Sequence, residues 1–468
     1  MNAALSAARE ALAGQEAWVV GGAVRDRLLG RETDDVDLVV RGDAREPARR
    51  LSRATRASAF ALSEEFGAWR VTARDRAWQA DLMPLEGATI AEDLARRDLT
   101  VNAMAEPLDG GELVDPFGGR EDLAARRLRM VSPGAFEADP VRVLRVARLA
   151  VALGFDVEAE TRVAAQRAAP GLPAAPGERV FGELKPMVTG PAPQLGIAEL
   201  DALGGLEAVL PEIAAQRGVE QNRFHHLDVF HHTLEVLTKA AELEADPGFF
   251  GEHADAVAGF LHEPLADDLS RAGGLRFGAL MHDVAKPQTR GETSEGRITF
   301  LGHDAQGAEM AHAALGRLRA SQRLRDHVAA LTRHHLRAGF LVHHRPLSRR
   351  DVHRYLRACE PVEVDVTLLS VADRLATRGD NAETAIAGHL DVTRELLGEA
   401  LRWRAQGPPD PLVRGDELAA ELGLEPGPEL GALLRELEAA RFSGEISTRE
   451  EAIRLSRRLA REASDQGV

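Results

Sequence analysis

The sequence predicts an α+β protein, in which a small α/β head precedes a longer body built from helices. Short apolar strands alternate with helical segments only in the first 130 residues. Strand signals nearly vanish after Ser132-Pro-Gly134, and helical patterns dominate from Glu178 to the end. A length of 468 residues leads us to expect about three domains.

The head is predicted over residues 1–130, with strands at Trp18–Val20, Asp37–Val40, Trp69–Thr72 and Trp78–Met83. A helical neck is expected over 131–215, where the stretch from about 139 to 168 has the pattern of one amphipathic helix. A histidine-rich helical domain follows over 216–403. The segment Arg404–Pro411 contains a glycine and three prolines, which mark a linker into a helical tail over 404–468.

The composition is that of an ordinary globular protein, with 44% hydrophobic and 28% charged residues. A net charge of −16 is not typical of a nucleic-acid-binding protein, although arginines cluster at 120–148 and 317–357. The single cysteine, Cys359, excludes an internal disulfide framework and indicates a cytoplasmic protein. The N-terminus lacks the pattern of a signal peptide, and no run of 18 apolar residues predicts a membrane span.

A Gly-Gly turn and a pair of aspartates form the most informative stretch. Gly21 and Gly22 follow the first strand, and glycines there let backbone N–H groups approach a phosphate at a helix start. Asp35 and Asp37 lie two residues apart on the next strand, so their carboxylates share one face and can hold Mg²⁺. Either feature alone is usually structural, but their combination predicts a metal-dependent nucleotidyl transfer site.

Asp81 is the best candidate for a third carboxylate, since it ends the apolar run that begins at Trp78. Three acidic side chains could hold two metals, one activating an RNA 3′-hydroxyl and one neutralising triphosphate charge. The alternative is a solvent-exposed residue at a strand end.

Two arginine-rich segments follow. Arg96 and Arg97 are flanked by acidic residues, a pattern that suits contacts with phosphate and sugar groups. The alternative is a charged helix face with i,i+4 ion pairs, which would have the same sequence pattern. A second set of charged residues recurs every three residues and so forms one stripe that winds slowly around a helix: Asp139, Arg142, Arg145 and Arg148. An Asp–Arg pair on this stripe could hydrogen-bond to the edge of a base. A solvated basic helix face is the alternative for this stripe.

Histidines cluster in the third domain, which holds all 16 in the chain. Imidazole and carboxylate ligands on separate helices could converge there on one or two transition-metal ions.

These motifs, in this order, resemble the class II branch of the bacterial tRNA nucleotidyltransferase/poly(A) polymerase family, which includes the CCA-adding enzymes. The resemblance is carried by Gly21–Asp26, Asp35–Asp37, Asp93–Asp98 with Asn102, Asp139–Arg142 and Glu178–Glu183, and it continues through the tail motifs Pro411–Leu418, Leu424–Glu429 and Gly444–Glu450.

The resemblance implies a role for each head residue. The turn at Gly21 and Gly22, with Arg25, would contact the triphosphate of CTP or ATP, and Asp35 and Asp37 would hold Mg²⁺. Arg96 and Arg97 would contact the nucleotide. Asp139 and Arg142 would read its base, supported by Arg145 and Arg148. The partner would be the tRNA 3′ end.

The third domain resembles the HD phosphohydrolase superfamily, which implies a divalent transition metal there. The defining metal ligands would be His232, His282, Asp283 and Asp373, and the extra ligands of two-metal members would be His303 and His334, with His335 as a further candidate.

Two departures from the family leave the product open. Ala138 stands where the family commonly has a glutamate before the aspartate of the template pair, and the stretch between Asp81 and Asp93 is shorter than in many CCA-adding members. Addition of CC, of A, of full CCA or of poly(A) therefore remain alternatives. There are two rival functions: a poly(A) polymerase, and an HD phosphohydrolase whose head only binds nucleotide.

Overall fold

The computed structural model describes residues 3–64, 66–75 and 77–465. The chain forms two compact units. The N-terminal unit extends to Pro186 and includes Leu195–Val209, and the C-terminal unit consists of Met187–Gln194 and the chain from Leu210 onward. No helix among the described residues has the length and apolarity that crossing a bilayer requires.

The N-terminal unit contains a six-stranded sheet in the order β3-β4-β5-β2-β1-β6. Its strands are β1 (Ala17–Val20), β2 (Asp35–Val40), β3 (Ser58–Ser63), β4 (Ala68–Thr72), β5 (Gln79–Pro84) and β6 (Ala105–Pro107). The β2–β5 pair is parallel, and the other neighbours are antiparallel. The four predicted strands correspond to β1, β2, β4 and β5, whereas the two edge strands were not predicted.

Helices cover part of this sheet and continue into the neck. They are α1 (Ala3–Ala11), α2 (Gly22–Leu28), α3 (Arg45–Thr55), α4 (Ile90–Leu94), α5 (Gly119–Ala124), α6 (Ala135–Ala138), α7 (Arg142–Leu153), α8 (Ala159–Ala168), α9 (Gly177–Thr189), α10 (Pro193–Ala202) and α11 (Gly205–Val209). The prediction of one helix from about 139 to 168 is wrong. Gly154 ends α7 with a φ of 69°, and the chain then pairs β8 (Asp156–Val157) with β7 (Arg127–Leu128) before α8 begins.

The two faces of the sheet differ. Val36, Leu38 and Val40 of β2 are buried on one face. On that same face the guanidinium groups of α3 lie over the Trp69 ring, so α3 covers it. Because strand side chains alternate, Asp35 and Asp37 are placed on the opposite face, where the sheet can serve a site.

The C-terminal unit is mainly helical, as predicted. Its helices are α12 (Pro211–Ala214), α13 (Val229–Ala245), α14 (Ala254–His262), α15 (Arg271–Met281), α16 (Lys286–Thr289), α17 (His303–Arg317), α18 (Gln322–His334), α19 (Arg337–Leu341), α20 (Arg349–Cys359), α21 (Glu363–Ala376), α22 (Ala382–Gln406), α23 (Gly415–Leu422), α24 (Pro428–Phe442) and α25 (Arg449–Asp465). Two small ladders pair β9 (Pro264–Ala266) with β10 (Leu269–Ser270), and β11 (Arg290–Glu292) with β12 (Ile298–Phe300).

Helix α15 lies at the centre of this unit, since all its residues are buried. A Cβ on Gly278 would come within 2.5 Å of Leu331 Cδ1, so this glycine lets α18 approach closely. The tail begins after Gln406, where α22 ends, and its helices share an apolar core that includes Leu418, Leu430 and Leu437.

Candidate active site and metal centre

A cavity of about 610 Å³ in the N-terminal unit, called the head cavity below, combines carboxylates with arginines. Six arginines and five carboxylates line it, an arrangement suited to a polyanion that arrives with a divalent cation. These residues are Arg25, Arg96, Arg97, Arg142, Arg145, Arg148, Asp35, Asp37, Glu86, Asp93 and Asp98. The structure therefore brings together nearly all the head residues that the sequence singled out, with Gly21 and Gly22 also on the wall.

The turn between β1 and α2 requires glycine. Gly21 has a φ of 70°, in the left-handed region, and a Cβ there would lie 3.0 Å from Arg97 Nη1 and 3.1 Å from Asp37 Oδ2. The backbone of this turn thus lies directly against the carboxylate of β2 and an arginine. A side chain at this position would push both groups away.

Asp35 and Asp37 carry negative charge that no direct ion pair neutralises among the described residues. Burial and the neighbouring Asp35 raise the pKa of Asp37 to about 6, and burial also raises the pKa of Asp35. Two converging carboxylates in this state favour a divalent cation with oxygen ligands, so the pair fits such an ion.

Asp81 differs from the expectation for a third metal ligand. It lies opposite Asp37 in the β2–β5 ladder, but both its oxygens accept hydrogen bonds from Arg70, at 2.7 Å each. It is also absent from the lining of the head cavity. Arg70 on β4 therefore neutralises Asp81, and this bidentate pair leaves Asp81 less free to ligate a metal.

Arg25 is held in the head cavity by two partners. Its guanidinium donates to both oxygens of Asp26, at 2.9 Å each, and to Asn102 Oδ1 at 2.7 Å. The Asn102 amide in turn donates to Asp98 Oδ1 at 3.3 Å. Asn102 is 77 residues from Arg25 along the chain, and only its place in the family motif pointed to it in the sequence.

The same Asp98 connects the turn to α7. Asp98 is 3% exposed, and its Oδ2 accepts from Arg145 at 3.1 Å. Glu183 on α9 accepts from Arg145 at 3.0 Å and from Arg148 at 2.7 Å. Arg145 and the Leu99 N–H outweigh burial and lower the pKa of Asp98. Asp98 and Glu183 therefore fix two of the three stripe arginines, Arg145 and Arg148, and the sequence did not single out Glu183 for this task.

The remaining arginines of the head cavity are oriented by backbone and acidic groups. Arg142 donates to the carbonyl oxygens of Ala135 at 3.0 Å and Arg96 at 2.8 Å. Arg97 lies 3.6 Å from Asp93, and Arg96 pairs with Glu86.

Asp139, expected to read a base together with Arg142, lies outside the lining of the head cavity. Its carboxylate accepts from Arg179 at 2.6 and 3.3 Å and lies 3.8 Å from Arg142. The Asp139–Arg142 pair is thus present, but the acid is engaged by an arginine of α9 that the sequence had not connected to it.

A second candidate centre lies in the C-terminal unit around Asp283. Asp283 Oδ2 is 3.0 Å from His282 Nε2 and 3.7 Å from His232 Nε2, and Asp373 Oδ1 is 3.1 Å from His232 Nε2. The other oxygen, Oδ1, is 3.4 Å from His303 Nε2 and 3.8 Å from His335 Nε2. Asp283 therefore separates two ligand groups, one on each oxygen. We call these six residues the histidine cluster.

The expected ligand His334 is not part of the histidine cluster; His335 takes its place. Ligand atoms of Asp283, His303 and His335 lie within 4.8 Å of one another. His334 Nδ1 instead accepts from Arg337 at 2.9 Å, and its ring lines another cavity with Arg333 and His312. Consecutive helical residues point about 100° apart, so only one of the two can face the core.

The ring orientations in the histidine cluster fit metal ligation. The Nδ1 atoms of His282, His303 and His335 each donate to a carbonyl oxygen, at 2.8, 2.6 and 2.6 Å, so that in the neutral form of each ring Nε2 carries the lone pair. The buried Nε2 atoms of His232 and His282 have no hydrogen-bond partner among the described residues. Burial lowers the pKa of His335 to about 4 and also lowers the pKa of His232, so both rings are neutral at pH 7.

The histidine cluster opens into a cavity of about 630 Å³. Lys286 lies at its inner end, with Nζ 2.6 Å from Asp283 Oδ2 and 2.7 Å from Gln221 Oε1. Apolar side chains form much of the wall, among them Phe224, Phe300 and Phe340.

Three protein-family descriptions match successive parts of the chain. The poly(A) polymerase head domain matches residues 17–129, the "probable RNA and SrmB-binding site of polymerase A" matches 154–217, and the HD domain matches 229–378. The head cavity lies mainly within the first match, and all six residues of the histidine cluster lie within the third.

Relatives of known name extend over nearly the whole chain. The A-adding tRNA nucleotidyltransferase of Deinococcus radiodurans is 39% identical, with 95% of this chain and 96% of that protein aligned. The CC-adding tRNA nucleotidyltransferase of Thermus thermophilus is 36% identical over 94% of this chain and 92% of that protein. A solved CCA-adding enzyme shares the fold, with a TM-score of 0.63, 19% identity, and coverage of 98% and 93%.

Proposed function

The chain belongs to the tRNA nucleotidyltransferase/poly(A) polymerase family, and we propose that it adds CMP, AMP or both to the 3′ end of tRNA without a nucleic-acid template. The cytoplasm, where tRNA is processed in bacteria, fits the single buried cysteine, Cys359. The observation that carries the proposal is the head cavity, in which two carboxylates line the same wall as six arginines and form no direct ion pair within the described part of the chain.

The reaction joins the RNA 3′-oxygen to the α-phosphorus of the nucleoside triphosphate. The bond from that phosphorus to the oxygen bridging to the β-phosphate breaks, pyrophosphate leaves, and the hydroxyl proton passes to solvent. Asp35 and Asp37 would hold Mg²⁺. When bound, the cation lowers the pKa of the 3′-hydroxyl and neutralises phosphate charge.

The other residues of the head cavity position the nucleotide. The Gly21–Gly22 turn lets the backbone approach the phosphates, and Arg25 faces them with its orientation fixed by Asp26 and Asn102. On the other side of the cavity, Arg142, Arg145 and Arg148 present donors toward the base and sugar. Because Arg145 and Arg148 are held by Asp98 and Glu183, these donors are already oriented before the nucleotide binds.

A three-substrate assay tests this proposal and decides the product. The purified enzyme is incubated with tRNA lacking its terminal nucleotides, with tRNA ending in C-C, or with a generic RNA, each with labelled CTP or ATP. Growth only on the C-C end identifies A addition, and growth on the truncated tRNA with CTP identifies C addition. Growth on generic RNA with ATP would identify a poly(A) polymerase. No incorporation into any RNA would contradict the proposal.

A second activity, hydrolysis of phosphoesters by the histidine cluster, is favoured by the position of Asp283. One of its oxygens faces His232 and His282, and the other faces His303 and His335. Nitrogen and carboxylate ligands in this arrangement suit one or two divalent transition-metal ions. Lys286, buried beside Asp283, adds a cation that can pair with a phosphate.

This second proposal is tested by metal content and hydrolysis together. We expect purified protein loaded with Mn²⁺, Co²⁺ or Ni²⁺ to hydrolyse a chromogenic phosphodiester or phosphomonoester, and His282→Ala to lose both metal and hydrolysis. A metal-loaded protein that hydrolyses neither ester would contradict it and would leave the histidine cluster with a structural role.

A further inference from the structure

An exposed aromatic residue stands in line with the carboxylates of the head cavity. Asp37 of β2 lies opposite Asp81 of β5, Asp81 lies opposite Arg70 of β4, and Arg70 lies opposite Phe60 of β3. Residues that face one another across neighbouring strands share a face of the sheet. Asp37, Asp81, Arg70 and Phe60 therefore form one row, which we call the sheet row, on the face opposite α3.

The sheet row ends at an edge where an apolar ring meets solvent. β3 is the edge strand, and Phe60 is 48% exposed. Between it and the carboxylates, the Arg70 guanidinium is held in place by two hydrogen bonds to Asp81. Aromatic rings and arginine planes are the groups on which unstacked RNA bases stack.

The in-line geometry of nucleotidyl transfer indicates which substrate lies over the sheet row. In the proposed reaction the leaving pyrophosphate would lie near Gly22 and Arg25, which follow β1 and so stand on one side of β2. In-line displacement places the attacking 3′-hydroxyl on the other side of the α-phosphate. That side is the one over β5, β4 and β3, and Phe60 lies three strand spacings, about 14 Å, from Asp37.

We infer that the sheet row is the platform for the RNA primer, and that Phe60 stacks on a base near its 3′ end. Phe60 is then a positioning residue that holds the 3′-hydroxyl toward Asp35 and Asp37. This inference rests on the proposed nucleotidyl transfer and names the surface that receives its second substrate. Continuity of the row with the carboxylates, and the arginine within it, favour an RNA strand over a protein partner.

Steady-state kinetics of the full chain with truncated tRNA as primer test the inference. Phe60→Ala is expected to raise the KM for the primer about tenfold, with the KM for the nucleotide unchanged, because only a base stack is lost. Phe60→Tyr keeps the aromatic face and should restore the wild-type KM. Phe60→Leu keeps apolar bulk but no ring face, so it should behave like Phe60→Ala. Because Phe60 is half exposed, these substitutions should leave the fold intact, and a melting curve for each variant checks this.

A primer with abasic sugars at its last three positions provides the matched control. On that primer Phe60→Ala and wild type should have the same KM, since no base remains to stack. An unchanged primer KM for Phe60→Ala on normal tRNA would overturn the inference. The exposed edge at Phe60 would then be a surface for a protein partner or a second copy of the chain. Wild-type incorporation separates this result from failure of the proposed function, in which no RNA is extended at all.

Discussion

The head cavity and the histidine cluster both gather acidic side chains, but they do so on different scaffolds and with different partners. In the head, Asp35 and Asp37 project from one strand beside arginines, and every candidate ligand there is an oxygen. In the cluster, ligands come from the ends of several helices, and the carboxylate of Asp283 is surrounded by imidazoles. The head cavity thus suits a hard cation shared with a polyphosphate, and the cluster suits a cation that the protein itself encloses.

The two sites also differ in what fixes their side chains. Backbone carbonyl oxygens orient three of the imidazoles. In the head cavity, the side-chain acids Asp98 and Glu183 orient Arg145 and Arg148. Arginines held in this way keep their N–H donors oriented toward the cavity while remaining partly exposed to solvent, as a site that exchanges substrates requires.

The largest expected effect separates the two chemistries. Asp35→Ala removes half of the proposed cation site in the head and should lower nucleotide addition by roughly 10³-fold, since such a cation supplies several kcal/mol to the transition state. Metal content and hydrolysis at the histidine cluster should not change. Asp34→Ala, at the neighbouring exposed position, is the control and should add nucleotides at the wild-type rate. Equal losses in both variants would contradict the assignment.

The next effect tests the ligand set of the cluster with two adjacent histidines. His335→Ala should lower metal affinity by more than roughly 100-fold, beyond the loss expected for a group that merely orients a ligand. His334→Ala should keep the wild-type metal content, because that ring bonds Arg337 instead. Metal analysis of the two purified variants makes the comparison, and the opposite order would show that the ring facing the metal has been misassigned.

Two glycines with the same φ test how closely the turn approaches the carboxylates. Gly21→Ala should lower nucleotide addition about 100-fold, because its Cβ would displace Arg97 and Asp37 from reacting geometry. Gly30 also has a φ of 70°, but nothing lies within 4 Å of a Cβ there. Gly30→Ala therefore carries the backbone strain alone, and its activity should remain close to wild type. If both variants lose the same activity, strain rather than crowding is the cause.

The smallest effect concerns the acid that orients the stripe arginines. Glu183→Gln should raise the KM for the nucleotide roughly tenfold, since charge-assisted hydrogen bonds to Arg145 and Arg148 weaken while the fold is kept. Glu46→Gln breaks the exposed pair with Arg53 and should leave that KM unchanged. A wild-type KM for the nucleotide in Glu183→Gln would mean that Arg145 and Arg148 keep their orientation without this acid.

The sequence predicted those parts of the two sites that depend on local spacing. Strand alternation placed Asp35 and Asp37 on one face, and the turn glycines stand beside them as expected. Contacts that depend on tertiary pairing could not be predicted. Arg70 reaches Asp81 only because β4 pairs with β5 in one register, and Glu183 reaches α7 from a helix more than 30 residues away.

The choice between His334 and His335 shows the same limit at the scale of one residue. Both stand in the same short motif, and which ring faces Asp283 depends on how α18 is rotated by its packing against α15 and α17. Likewise, one residue, Gly154, divides what the periodicity predicted as a single helix, because it adopts a left-handed conformation.

Nucleotide incorporation by Asp37→Asn and His282→Ala, measured side by side, tests the central claim that transfer occurs in the head cavity and is independent of the histidine cluster. Both variants are supplied with truncated tRNA, labelled CTP or ATP, and Mg²⁺, and label and released pyrophosphate are counted together. The separation of the two sites predicts that Asp37→Asn incorporates almost no label, whereas His282→Ala incorporates it at the wild-type rate with one pyrophosphate per nucleotide. Wild-type incorporation by Asp37→Asn, or its loss in a folded His282→Ala, would contradict the claim.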